Sequence, residues 1–334
     1  MTPLIEAVKL SKQFGGGGVF GFGARPVRAL NEVTLSIARG EAVGLVGESG
    51  SGKSTMGRVM LGLTPASSGS VRLDGVDIAS LRGKETRRLR QRMQLVFQDP
   101  YSSLDPRRRI SAQIADGLLA HGLARPADIA DRVAALLAQV GLPPAHAQRY
   151  PHEFSGGQRQ RIGIARALAV DPEFLVADEP VSALDVSVQA QVLTLLADLR
   201  ARLGLAMLFI SHDLPVVRSL CDRVVVLYLG RVMEEGPAAE VFRHPRHPYT
   251  RALLSAAPNI DPGRRRRRIL LRGDPPSPAN PPSGCVFRTR CAWAVEACAT
   301  AVPALAEAVR GHRVACLRVE DAALLGDPDI NGPV

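Results

Sequence analysis

Gly47-Glu48-Ser49-Gly50-Ser51-Gly52-Lys53-Ser54-Thr55 decides how the rest of the chain is read. It matches the phosphate-loop pattern G-x-x-x-x-G-K-[ST]. Glu41-Ala42-Val43-Gly44-Leu45-Val46 before it reads as a short buried strand, and Met56 to Leu63 after it as a helix start. The motif needs that strand–loop–helix setting. Glycines at such a turn let successive N–H groups point inward as an anion nest at a helix N-terminus. Gly47, Ser49, Gly50, Ser51, Gly52, Lys53, Ser54 and Thr55 are therefore the candidate nucleotide-binding residues. Lys53 is placed to reach the β- and γ-phosphates, Ser54 to ligate Mg²⁺, and Thr55 to support it. A merely flexible Gly/Ser turn would not explain the full nine-residue match.

Working outward, residues 4–12 and 33–37 read as two paired strands, separated by Phe14, a four-glycine run and a loop to Pro26. Phe14 is the candidate for stacking on a base, against simple core packing, and Phe20 and Phe22 compete for that role. Ser68 to Gly75 reads as a strand with an Asp-Gly turn. Residues 82–92 form an exposed basic helix or loop, and Met93 to Phe97 an apolar strand that ends at Gln98. A polar side chain at the C-terminal end of such a strand suits a Mg²⁺ or water contact.

Residues 100–170 are helical in pattern, with helices over 110–119 and 129–140; Val133, Leu136, Leu137 and Val140 share one face of the second. Ser155 is the expected cap of a further helix, and Gly156 and Gly157 expose N–H groups at its start as a second anion site. Phe174-Leu175-Val176-Ala177-Asp178-Glu179 is an apolar strand ending in two acids. Asp178 is the candidate Mg²⁺ residue, and Glu179 the catalytic residue that polarises an attacking water. A surface acid pair capping a turn fits poorly directly after a buried strand. Asp185 is expected to start a helix that buries Val188, Val192, Leu195, Leu196, Leu199 and Leu203. Met207 to Asp213 is another strand with polar residues at its end, among them His212 as a γ-phosphate contact. Val224 to Tyr228 is expected to close the sheet. The fold class is α/β.

The 334 residues suffice for one large core with an appendage, or for two domains. The 46% hydrophobic and 22% charged content is ordinary for a globular protein. No apolar run of about 18 residues is present, which excludes a spanning helix, and the N-terminus lacks the pattern of a secretory signal. The formal charge is +10, and Lys9, Lys12, Lys53 and Lys84 are the only lysines. Such a surface suits proximity to an anionic membrane face. Aromatic residues make up 4% of the chain and do not interleave with the basic ones as base-stacking surfaces do, which argues against nucleic acid as a partner.

The order and spacing of these motifs resemble the ATP-binding subunits of ABC transporters. In that resemblance the phosphate loop is the Walker A motif and Gln98 the Q-loop residue. Phe154-Ser155-Gly156-Gly157-Gln158 is the signature with Phe in place of Leu. Phe174 to Glu179 is Walker B plus the catalytic glutamate, Ser182 to Asp185 the D-loop, and His212 the switch histidine. The closer resemblance is to the oligopeptide/dipeptide importer branch. It is carried by Gln98-Asp99-Pro100-Tyr101-Ser102-Ser103-Leu104-Asp105-Pro106, where Asn commonly stands in place of Asp105, by Arg149 to Phe154, by His244 to Thr250, and by Pro281 to Cys291.

The resemblance implies a RecA-like core sheet, an antiparallel β-subdomain and a helical signature subdomain over about 100–170. The ATPase domain would span 1–257. A Pro/Arg-rich linker would follow over 258–283, and a cysteine-containing extension over 284–334. It implies Mg²⁺ and ATP bound between the Walker A face of one subunit and the signature of another. Ser155, Gly156, Gly157, Gln158 and Asp185 would serve the partner's nucleotide, and Gln98, Glu179 and His212 the chemistry. The implied partners are a second homologous ATP-binding subunit, usually a different one, two membrane-spanning permease subunits and a periplasmic or extracellular solute-binding protein. The implied place is the cytoplasmic face of the inner membrane, as a peripheral protein. Cargo is not encoded in this chain; peptides are the default, with glutathione or nickel chelates as alternatives. A non-transport ABC ATPase would carry two cassettes or a long coiled coil, and neither is seen.

Cys285, Cys291, Cys298 and Cys316 follow the linker with spacing C-x5-C-x6-C-x17-C. Disulfides are not expected in a reducing compartment, and zinc sites prefer closer pairs. Four cysteines also suit a [4Fe–4S] cluster, which members of the resembled branch can carry here; zinc and unliganded thiols remain open. Cys221 reads as a small buried residue.

Overall fold

Alternation along a few short apolar strands sets the architecture. The computed structural model describes residues 3–15, 26–99, 101, 103–256, 269–271 and 273–320. The elements in chain order begin with β1 (Ile5–Phe14), β2 (Val27–Ile37), β3 (Ala42–Val46), α1 (Lys53–Met60), β4 (Ser68–Leu73), β5 (Val76–Asp77), α2 (Lys84–Arg92) and β6 (Met93–Val96). Three helices follow, α3 (Ile110–His121), α4 (Ile129–Gln139) and α5 (Gly156–Leu168). Next come β7 (Phe174–Asp178), α6 (Val186–Leu203), β8 (Ala206–Ile210), α7 (Leu214–Leu220), β9 (Arg223–Tyr228) and β10 (Arg231–Pro237). The chain continues with α8 (Ala238–Arg243), α9 (Pro248–Ala256), α10 (Ala297–Thr300), β11 (Ala306–Val309) and β12 (His312–Val314).

The main sheet has the order β11-β12-β10-β9-β3-β8-β7-β6. From β9 to β6 the strands are parallel. Every residue of β3, β7 and β8 is buried, as expected where both faces of a parallel sheet are covered. Alternate side chains feed two cores. Val43, Leu45, Phe174, Val176, Leu208 and Ile210 pack with Met56, Val59 and Met60 of α1. Ala42, Val46, Leu175, Ala177, Met207 and Phe209 pack on the other side, with the helices of residues 110–199. A smaller sheet, β2-β1-β4-β5, is antiparallel throughout. Its Asp74-Gly75 turn has φ of 49° and 79°, the left-handed pair an Asp-Gly hairpin favours.

Three expectations are corrected. Val224 to Tyr228 does not close the sheet: β9 lies inside it, because β10 pairs antiparallel with β9 and the hairpin β11–β12 then pairs with β10. The free edge of β10 offered unpaired N–H and C=O groups, and residues nearly eighty positions later fill it. On α6 only Val192, Leu196 and Leu199 of the named stripe are fully buried, and Leu203 is 45% exposed. Leu203 closes the helix before the left-handed Gly204, where the chain leaves the core. The helix after the phosphate loop ends at Met60, short of Leu63, with Leu61 as its cap. Phe20, Phe22 and the run Arg264 to Arg268 lie outside the described residues. The Pro278 carbonyl accepts from the Arg28 N–H beside Val27 at the start of β2 at 3.2 Å.

Candidate nucleotide site

The phosphate loop leaves the C-terminal end of β3 and enters α1. Gly52 is its N-cap with φ 107° and ψ 4°. A Cβ there would lie 2.3 Å from the Ala29 carbonyl oxygen, so only glycine fits between the loop and β2. Gly47, at φ 152°, is equally closed in: a Cβ would meet the Leu227 carbonyl oxygen at 2.2 Å. Lys53 is buried and folds back on its loop, donating from Nζ to the Gly47 carbonyl at 2.8 Å and the Glu48 carbonyl at 2.9 Å. Burial pulls its pKa down, against the pull of the Glu179, Asp178 and Glu48 carboxylates.

Four strand ends meet beside it. Ser54 Oγ donates to Asp178 Oδ1 at 2.9 Å, joining α1 to the end of β7. Burial pushes the Asp178 carboxyl up, partly offset by that hydrogen bond. Glu179 follows with φ 47°, a left-handed conformation that costs a non-glycine residue about 1–2 kcal/mol. Its N–H donates to the Ile210 carbonyl at 2.9 Å, which holds it there. Gln98, past the end of β6, donates from Nε2 to Glu179 Oε2 at 2.9 Å, and His212 Nδ1, past the end of β8, lies 3.5 Å from Glu179 Oε1. Lys53, Ser54, Gln98, Asp178, Glu179 and His212 are thus brought together across four strand ends, the crevice where open α/β sheets bind ligands.

A second group sits at the start of α5. Ser155 and Gln158 form a reciprocal capping box: Ser155 Oγ accepts from the Gln158 N–H at 3.3 Å, and Gln158 Oε1 from the Ser155 N–H at 3.0 Å. The Ser-x-x-Gln spacing is the sequence signal for the Gln158 half of that box. Gly156 and Gly157 pack against Leu184 and Val188, so the helix start rests on the segment around Asp185. Asp185 is the exposed N-cap of α6, with no side-chain cap bond. Arg159 stacks its guanidinium 4.2 Å from the Tyr101 ring centre. Phe14 ends β1 at 44% exposure, opposite Val27, with Lys12 Nζ 4.9 Å from its ring centre. The ribbon that carries it abuts the phosphate loop through Ala29 and Leu30.

Three contacts to the loop were not legible. Tyr249 Oη accepts from the Glu48 N–H at 2.8 Å, and Arg290 grips the Glu48 carboxylate at 2.5 and 3.1 Å. Farther out, buried Glu234 accepts from the Arg246 and His247 N–H groups and bonds His312 Nε2 at 2.7 Å. Nothing in the local sequence pairs residues so far apart. Cys285, Cys291, Cys298 and Cys316 line one small cavity with His247, Phe287 and Trp293. Burial pushes the Cys291 thiol up to about 11 and those of Cys285 and Cys316 also upward. Among the described residues no three His, Cys, Asp or Glu side chains stand close enough to hold a single metal ion. Cys221 is buried under Gly44, its thiol pushed up to about 12 by burial.

Comparison with known proteins gives two family matches: ABC transporter over residues 30–182, and oligopeptide/dipeptide transporter, C-terminal region, over 233–298. A putative peptide import ATP-binding protein of Brucella ovis is 56% identical over 317 residues, covering 95% of this chain and 98% of that protein. The oligopeptide transport ATP-binding protein OppF of Salmonella typhimurium is 50% identical over 299 residues, covering 89% of each. Among solved structures, the dimeric ABC transporter cassette MJ0796 aligns with TM-score 0.62 and 30% identity over 70% of this chain and 98% of that one.

Proposed function

Because this chain belongs to the ATP-binding subunits of ABC transporters, in the oligopeptide/dipeptide branch, we propose that its ATPase activity drives import of di- or oligopeptides through a membrane-spanning permease. The observation that carries the chemistry is the convergence of Lys53, Asp178, Glu179, Gln98 and His212 on one crevice. The loop N–H groups and Lys53 bind the phosphates, Lys53 turning from the loop carbonyls to the ligand. Ser54, Asp178 and Gln98 form an oxygen donor set that suits Mg²⁺, which neutralises phosphate charge when bound. Glu179 acts as general base toward the attacking water. Gln98 and His212 hold its carboxylate from both sides, and His212 also faces the γ-phosphate. Phe14 stacks on the adenine.

One copy of each motif per chain fits a head-to-tail pair. Ser155, Gly156, Gly157, Gln158 and Asp185 serve the nucleotide held by the second, homologous ATP-binding subunit, which we take to be a different chain. Two permease subunits and an external solute-binding protein complete the machine. No described helix is long and apolar enough to cross a membrane. Peripheral attachment through the permease, on the cytoplasmic face, fits that. The division into an ATPase domain over 1–257, a linker over 258–283 and an extension over 284–334 belongs to the same reading.

The four C-terminal cysteines are assigned to a [4Fe–4S] cluster within this proposal. Four thiols around one cavity, those of Cys285 and Cys298 buried and those of Cys291 and Cys316 half-buried, support it. A cluster also spans more space than one ion, so its ligands stand farther apart than those of a single metal. Anaerobically purified protein should contain about four irons per chain; folded, iron-free protein would remove the assignment.

The transport reading is tested by uptake of labelled di- and tripeptides in host cells whose only copy is Glu179→Gln. Lost uptake is expected. Normal uptake in a strain without a second peptide importer would overturn the cargo assignment.

A further inference from the structure

We infer that Arg290 is a positioning residue of the nucleotide site: it neutralises Glu48 beside the phosphate nest and so makes the cysteine segment part of the ATP-binding machinery. The inference rests on the nucleotide reading of the loop and goes beyond it.

Glu48 is the second residue of the phosphate loop, on the stretch whose N–H groups face the anion. A free carboxylate there opposes phosphate binding, because like charges a few ångströms apart repel strongly at a partly buried site. Arg290 removes that charge from outside the nest. Its two terminal nitrogens meet the two Glu48 oxygens at 2.5 and 3.1 Å, a bidentate fork. The Arg290 side chain is only 7% exposed and that of Glu48 25%, so water screens the pair little. The Glu48 backbone is fixed independently by Tyr249, whose hydroxyl accepts its N–H at 2.8 Å. Side chain and main chain of one loop residue are therefore both held from the C-terminal third of the molecule.

Arg290 cannot move alone. Its N–H donates to the Phe287 carbonyl at 3.0 Å, and Phe287 is buried against Tyr228, Tyr249 and His247 at ring distances of 5.3, 5.3 and 5.7 Å. Cys291 follows it directly, and Cys285 opens the same short turn, its N–H donating to the Cys298 carbonyl at 2.9 Å. The packing that orders the cysteines thus also aims the guanidinium.

The test is MgATP affinity of the purified full chain by titration calorimetry, with steady-state kinetics where the partner subunit is present. Arg290→Ala should raise the dissociation constant about tenfold and leave kcat within about twofold, and Arg290→Lys should recover about half of the loss on a logarithmic scale. The decisive variant is Arg290→Ala with Glu48→Gln. With the offending charge gone, affinity should return to within about threefold of the parent. A tether with no electrostatic part would leave the double variant as weak as Arg290→Ala, and that result overturns the inference. So does unchanged affinity in an Arg290→Ala protein that melts like the parent. Failure of the parent chain itself to bind MgATP would instead strike the nucleotide reading, leaving the two failures distinguishable.

Discussion

Between Ala42 and Met60 a buried strand, a loop and a helix carry Lys53, Ser54 and the phosphate nest as one local unit. Between residues 281 and 316, by contrast, Arg290 and His312 are held by partners far away in sequence. The Arg290–Glu48 pair spans 242 positions and the His312–Glu234 pair 78. The first region needs little beyond its own order of residues. The second takes shape only against the finished sheet, whose edge it extends. A site built locally announces itself as a motif; a site built by closure is visible only as packing.

That contrast can be broken by showing that the C-terminal segment is an independent appendage. The largest effect is expected at Phe287, 1% exposed in the core shared with Tyr228 and Tyr249. Phe287→Ala should cost about 4 kcal/mol in urea unfolding and lower the whole transition. A separate early transition with the ATPase core unchanged would make the segment an appendage. His312→Ala should cost about 3 kcal/mol, because it strips a partner from Glu234, which is 0% exposed. A loss under about 1 kcal/mol would mean water replaces the imidazole. On the local side, Lys53→Ala should weaken MgATP binding about 100-fold, since its loss removes charge-assisted bonds to phosphate, with a smaller drop in melting temperature from its bonds to the Gly47 and Glu48 carbonyls. Titration calorimetry paired with a thermal melt checks both halves of that statement.

The smallest effect lies where Arg92 and Arg39 meet Glu173 and Asp74 on the surface. Hydrogen bonds from Arg92, opposed in part by desolvation, hold the Glu173 carboxyl down at about 2 against its ordinary 4.5. A depressed carboxylate contributes stability above its unfolded pKa and loses it as the pH falls through the folded one. Arg92→Ala should therefore cost about 1 kcal/mol at pH 7, and the gap should narrow between pH 4.5 and 2. A gap that stays constant down to pH 2 would show that the arginine acts through packing instead.

The legible part of the molecule follows the same division. Fully apolar runs at 42–46, 174–177 and 206–210 are readable as strands because a parallel sheet buries both their faces. The polar residues just beyond those runs are readable as a site because strand ends face the crevice. The α6 stripe is read one turn too far, since periodicity cannot say where a helix leaves the core. The role of Glu234 was not legible: an acid beside a second acid in a strand looks solvent-facing until its histidine and two N–H donors arrive from elsewhere. Arg290 is equally silent, one arginine among many in a basic chain.

Hydrolysis turns on Glu179, at φ 47° with its carboxylate between Gln98 and His212. The direct measurement is single-turnover ATP hydrolysis by the Glu179→Gln chain together with its partner subunit, alongside MgATP affinity. Hydrolysis should slow by about 100- to 1,000-fold with affinity retained. Turnover within about twofold of the parent would contradict it, and would take the general base away from the end of β7.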